Sequence, residues 1–90
     1  MILDDLEAVL ADRRSADPGE SYTARLLGDP ELIQRKIMEE AFEVCLELSR
    51  PAEGRVAEEA ADLVYHLLVG LVGAGVGLAE VLAVLEERRS

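Results

Sequence analysis

Two short stretches hold the residues whose types and spacing suggest chemistry: Lys36-Ile37-Met38-Glu39-Glu40-Ala41-Phe42-Glu43 and, further on, Glu58-Glu59-Ala60-Ala61-Asp62. A helix advances about 100° per residue, which puts Glu39, Glu40, Glu43 and Glu47 within roughly 60° of Lys36. Around Asp62, the same spacing gathers Arg55, Glu58, Glu59 and His66. The remainder of each wheel is mostly apolar: Ile33, Ile37, Ala41, Val44 and Leu48 flank the first stripe on one side, Met38, Phe42, Cys45 and Leu46 on the other. A surface helix normally has one apolar stripe and a broad polar back; here the polar part is the narrow one. Two such helices packed together would face their carboxylates toward each other, and clustered carboxylates repel unless a cation sits between them. Hard oxygen donors suit Mg²⁺, while a single His and a single Cys give little for zinc or copper. The bland alternative is that these carboxylates pair with Lys36, Arg35 and Arg55 or face water, as surface ion pairs do.

The elements needed to position these groups are all helical. Leu3, Leu6, Val9 and Leu10 recur at helical spacing in a first helix from Ile2 to Arg14. Asp17-Pro18-Gly19 marks a turn, Ser21 caps a short piece from Tyr22 to Leu27, and Gly28 stops it. Asp29-Pro30 opens the first long helix, which runs to about Ser49 before Arg50-Pro51. The second long helix begins near Ala52–Arg55 and runs to about Val72. A last one spans Leu78 to Arg89, and no internal repeat or linker interrupts the chain. The expectation is one all-α domain over 1–90, a helical bundle whose two long central helices carry facing acidic stripes.

Composition narrows the function. Ninety residues bury only about 60–65% of their unfolded surface. Half the residues are hydrophobic and few are aromatic, so a small helical chain with surplus apolar surface is expected to pair with itself. A net charge of −10 argues against a binder of nucleic acid or anionic membrane, which would show a basic face. Cys45 has no partner for a disulfide and reads as a small buried hydrophobe in a reducing compartment. The first residues are acidic where a signal peptide is basic, and the run Leu63 to Ala79 is too interrupted for a spanning helix, so a cytoplasmic protein is expected. His66, one turn beyond Asp62, could contact substrate or a neighbouring carboxylate, or be a histidine hydrogen-bonded within the core. Arg13 and Arg14 could meet phosphate through their planar forks or cap the first helix. Glu47 reads as an outer or surface member of the stripe. No Gly-rich phosphate loop and no Ser or Cys nucleophile with a base is present.

Glu39-Glu40-x-x-Glu43 followed by Glu59-x-x-Asp62 resembles the metal signature of the all-α, MazG-like nucleotide pyrophosphatases. Segments Leu6–Arg14 and Ser21–Leu27, then Lys36–Val44, then Glu59–Val69 resemble, more narrowly, the phosphoribosyl-ATP pyrophosphatase family of histidine biosynthesis. Met38 departs from the Gly usual there, and Glu47-Leu48 from small residues. The resemblance implies Mg²⁺-dependent hydrolysis of the α–β phosphoanhydride of phosphoribosyl-ATP, by a homodimer whose site is completed across subunits. It implies Glu39, Glu40, Glu43, Glu59 and Asp62 as metal ligands, with Glu40, Glu43 and Lys36 acting at the reacting phosphate. Arg13, Arg14, Lys36, Tyr22, Thr23 and His66 would contact the substrate. Two other readings remain at this point: a hydrolase of other nucleoside triphosphates, and a non-catalytic acidic helical module that dimerises.

Overall fold

The computed structural model describes residues Met1 to Arg89, which form five helices and, among these residues, no strand. Helix α1 is Ile2–Asp12, followed by a 3-10 turn at Arg13–Ser15; α2 is Tyr22–Leu27 and α3 is Pro30–Leu48. A second 3-10 turn, Pro51–Glu53, leads into α4 (Val56–Ala74), and α5 is Leu78–Arg89. The expected boundaries hold to within a few residues because their signals are local. Ser21 Oγ accepts from the backbone N–H of Ala24 at 3.1 Å, and Asp29 Oδ1 accepts from that of Leu32 at 3.1 Å, each satisfying an orphan donor of the first turn. Gly75 ends α4 in the left-handed region (φ 76°), with Val76 N donating to Leu71 O at 2.9 Å, the closure that only glycine makes cheaply.

Helices α3 and α4 form an antiparallel hairpin that is the spine of the molecule. Along α3 the inward positions are Ile33, Ile37, Glu40, Val44 and Glu47; along α4 they are Val56, Glu59, Leu63, His66 and Gly70. This alternating 3-4 spacing is that of two helices packed along a shared seam. At Gly70 the side chains of α3 lie against the backbone of α4: an added Cβ would lie 3.1 Å from Ile37 Cδ1 and 3.7 Å from Ile33 Cγ1. The seam is therefore apolar at its open end and carries Glu40, Glu47 and Glu59 toward the hairpin turn. Leu10, Leu26, Ile33, Leu68, Val69, Val72 and Leu78 form the core, gathered on one side of that spine by α1, α2 and the start of α5.

The other side is bare. Met38 is 67% exposed and Phe42 62%, and Cys45, Leu46, Val64 and Leu67 are exposed with them. Cys45 is thus not the buried hydrophobe its wheel position suggested, because no helix of the same chain covers that flank. The radius of gyration, 14.3 Å, exceeds the roughly 12 Å expected of a compact chain of this size. Glu47 departs the other way: expected near the surface, it is only 8% exposed and its Oε2 has no hydrogen-bond partner among the described residues. It lies two turns along the same face as Glu40, so the packing of α3 on α4 buries it.

Candidate metal and substrate site

Carboxylate oxygens of Glu40 from α3 and of Glu59 and Asp62 from α4 all lie within 4.8 Å of one another. Their positions follow from the seam. Glu40 and Glu59 are inward-facing residues of the two helices, and Asp62 is three residues on from Glu59 at the seam's solvent edge. Of the cations in the bland reading, two pair with the stripe: Lys36 Nζ lies 3.2 Å from Glu39 and 3.6 Å from Glu40, and Arg55 lies 3.1 Å from Glu59, while Arg35 makes no ion pair among the described residues. These pairs do not disperse the cluster. The Asp62 carboxylate has no hydrogen-bond or ion-pair partner among the described residues, and an all-oxygen set at this spacing fits part of the shell of a hard divalent cation.

The other expected ligands stand differently. Glu39 and Glu43 sit on the exposed edge of α3 beside Glu40, outside the converging group. Glu39 is engaged with Lys36. That hydrogen bond, more than the nearby carboxylate charges, holds the Lys36 ammonium above its ordinary pKa. Lys36 is the only lysine in the chain, the other eight basic residues being arginines.

Beside Lys36 lies the α2 face. The Tyr22 hydroxyl and His66 Nε2 are 2.9 Å apart, and His66 Nδ1 is 2.7 Å from the backbone carbonyl of Asp62. That carbonyl can only accept, so Nδ1 carries the proton, and in the neutral ring Nε2 accepts from Tyr22. Next to this pair, Thr23 Oγ1 and the Tyr65 hydroxyl are 2.5 Å apart. Burial raises the Tyr22 phenol's pKa, with Lys36 opposing and Tyr65 reinforcing the shift. Both ring nitrogens of His66 are engaged and the residue is only 6% exposed.

Arg14 turns away from the cluster: its guanidinium donates to the carbonyl of Val72 in the last turn of α4. Val72 is ten residues beyond Asp62, about 15 Å along the helix. It caps a helix, but α4 rather than α1, and within one chain neither it nor the adjacent, exposed Arg13 joins the carboxylates. Arg25 was not singled out from the sequence. Its guanidinium lies 5.2 Å over the Tyr22 ring and makes no ion pair among the described residues, which leaves an uncommitted cation beside the site. The i, i+3 spacing of Tyr22 and Arg25 on α2 was the available signal.

The family model described as phosphoribosyl-ATP pyrophosphohydrolase matches residues 3–89. The chain belongs to that family. Among its relatives is a phosphoribosyl-ATP pyrophosphatase of Cereibacter sphaeroides, 49% identical over 88 residues that cover 97% of this chain and 85% of that protein. A protein of the same name from Pyrobaculum arsenaticum is 48% identical over 90 residues, covering 98% of this chain and 95% of the relative. A third, from Roseobacter denitrificans, is 45% identical over 91 residues, covering 100% and 87%. Both the carboxylate cluster and the Tyr22–His66 contact fall inside the span matched by the phosphoribosyl-ATP pyrophosphohydrolase family.

Proposed function

We propose that this chain, acting as a single domain over 1–90, hydrolyses the α–β phosphoanhydride of phosphoribosyl-ATP to phosphoribosyl-AMP and pyrophosphate, an early step of L-histidine biosynthesis. Membership of the phosphoribosyl-ATP pyrophosphohydrolase family over 3–89 carries the reaction. The convergence of Glu40, Glu59 and Asp62 supports Mg²⁺ as the cofactor, with Glu39 and Glu43 completing the ligand edge. Bound there, the ion supplies Lewis acidity toward phosphate oxygens and toward water. The chain's own groups do the rest. Lys36 Nζ, already beside Glu39 and Glu40, meets the phosphate oxygens nearest the metal ligands. Glu43 is exposed and unpaired among the described residues, so its carboxylate is free to accept a proton from attacking water. Arg25 offers a planar fork to a second anionic group of the substrate, and Tyr22 and Thr23 line the nucleotide side.

The working form is a homodimer in which a second copy covers Met38, Phe42, Leu46, Val64 and Leu67. No single described helix is long and apolar enough to cross a membrane, and α4 and α5 are bent by 114° at their junction. We place the enzyme in the cytoplasm, where the free thiol of Cys45 also fits.

The test is pyrophosphate release from phosphoribosyl-ATP by wild type, Glu40→Gln and Asp62→Asn, with deoxynucleoside triphosphates offered alongside. The expected result is Mg²⁺-dependent turnover of phosphoribosyl-ATP that both substitutions lower about a hundredfold or more while helicity is retained. Turnover of deoxynucleoside triphosphates alone would move the chain to another pyrophosphatase activity. No turnover and no metal response would leave the dimerising module.

A further inference from the structure

Residues 22 and 23 of α2 bond residues 66 and 65 of α4, a two-by-two clamp between neighbouring pairs. A helix of six residues has no stability of its own in water, so its orientation depends on such ties and on burial of Ala24 and Leu26. His66 is the centre of the clamp. One nitrogen holds the backbone carbonyl of Asp62, the other the Tyr22 hydroxyl. Its ring plane is set by edge contacts with Tyr65 (4.9 Å) and Tyr22 (5.9 Å). Outward from Tyr22 lie Arg25 on its ring and the charges of Lys36 and Glu40, both near enough to act on the phenol.

We propose that His66 is a positioning residue for the reaction: it does not touch substrate, but locks Tyr22 of α2 to the Asp62 turn of α4, and thereby sets where Tyr22 and Arg25 stand relative to the carboxylates. This rests on the reading of Glu40, Glu59 and Asp62 as the metal centre. The two nitrogens have separable roles. Asparagine at 66 places an amide near the Nδ1 position, keeping the Asp62 contact and losing Tyr22. Glutamine reaches the Nε2 position and can accept from the Tyr22 hydroxyl.

The experiment is a double-mutant cycle read as kcat/KM for phosphoribosyl-ATP, using His66→Asn, Tyr22→Phe and the double variant, with His66→Gln as rescue. Each single change should lower kcat/KM about tenfold, the scale of one neutral hydrogen bond. The double variant should be no worse than either, and His66→Gln should recover most of the loss. Losses that multiply in the double variant would mean that His66 acts on substrate by itself, and would overturn the proposal. So would variants that only melt earlier while kcat/KM per folded molecule stays at the wild-type value. The rise in melting temperature with Mg²⁺ is measured on wild type and all four variants. Its absence in wild type counts against the metal reading, whereas a normal rise with additive kinetic losses counts against the clamp alone.

Discussion

Glu40 on α3 and Asp62 on α4 come from opposite helices of the hairpin, yet their carboxylate oxygens approach within 4.8 Å, with Glu59 as the third member. Lys36 partly offsets Glu40 and Arg55 partly offsets Glu59, but Asp62 has neither. Converging carboxylates repel one another, and a bound cation would relieve that repulsion. Glu40→Gln and Asp62→Asn should therefore leave the metal-free melting temperature unchanged or higher. They should remove most of the rise on adding Mg²⁺, which for a bound ion at 100 times its Kd amounts to about 2.7 kcal/mol. Turnover should fall about a hundredfold or more. Thermal melts with and without Mg²⁺, beside steady-state rates, check both halves.

Glu47 is the converse case, a carboxylate buried in the seam with Oε2 unbonded. Taking a charged group out of water without a partner is expensive, and an apolar side chain of similar volume avoids the cost. Glu47→Met should stabilise the protein by about 1–3 kcal/mol in urea unfolding at neutral pH. A loss of stability would show that Glu47 has a partner in the working assembly.

Glu7 reaches from α1 across the fold: its Oε2 accepts from the backbone N–H of Leu78 at 2.7 Å, while Glu80 Oε2 accepts from Gly77 N at 2.7 Å. Together they satisfy the first donors of α5, and a carboxylate there also suits the helix dipole. Glu7→Ala should cost about 0.5–2 kcal/mol, and Glu7→Gln, which keeps an acceptor, clearly less. Chemical denaturation of the two variants tests the difference.

Alkaline pH should loosen the site. The hydrogen bond to Glu39 raises the Lys36 pKa above 10.5, and burial raises that of Tyr22 above 10.0. A folded pKa above the unfolded one means that the folded protein holds the proton more tightly. The contribution is complete below the unfolded value and is lost as pH rises through the folded one. Melting temperature should thus be flat near pH 8 and fall from about pH 10 upward. Because the chain has no other lysine, Lys36→Met should flatten part of that slope.

Phe42 and Leu67 lie on the uncovered apolar face of the hairpin. If a second copy covers it, Phe42→Asp and Leu67→Asp place an unpaired charge in the interface and should shift the protein from dimer to monomer. Sedimentation velocity reads this directly; wild-type protein that is monomeric at assay concentration would refute the dimer.

Much of this molecule is written in local signals. Ser21, Gly28 and Asp29-Pro30 mark the ends of α2 and the start of α3 because capping involves residues two or three positions apart. The 3.6-residue period likewise brings out the acidic stripes, since it depends only on each helix's own axis. Which carboxylates converge was beyond that reading. Glu39, Glu40 and Glu43 share a stripe within about 100° of arc, and only the placement of α4 turns Glu40 inward while leaving the other two at the edge. The same limit hid the burial of Glu47, the exposure of Cys45, the turn of Arg14 to the carbonyl of Val72, and the reach of Glu7 to α5. The wheel places His66 on the Asp62 face; only the packing of α2 on α4 gives its ring the Asp62 carbonyl and the Tyr22 hydroxyl as partners. The sequence alone determined the helices, their caps and the chemistry available on each face. The tertiary structure decided which of those groups meet, because a helical wheel gives an angle about one axis and says nothing of where the next axis lies.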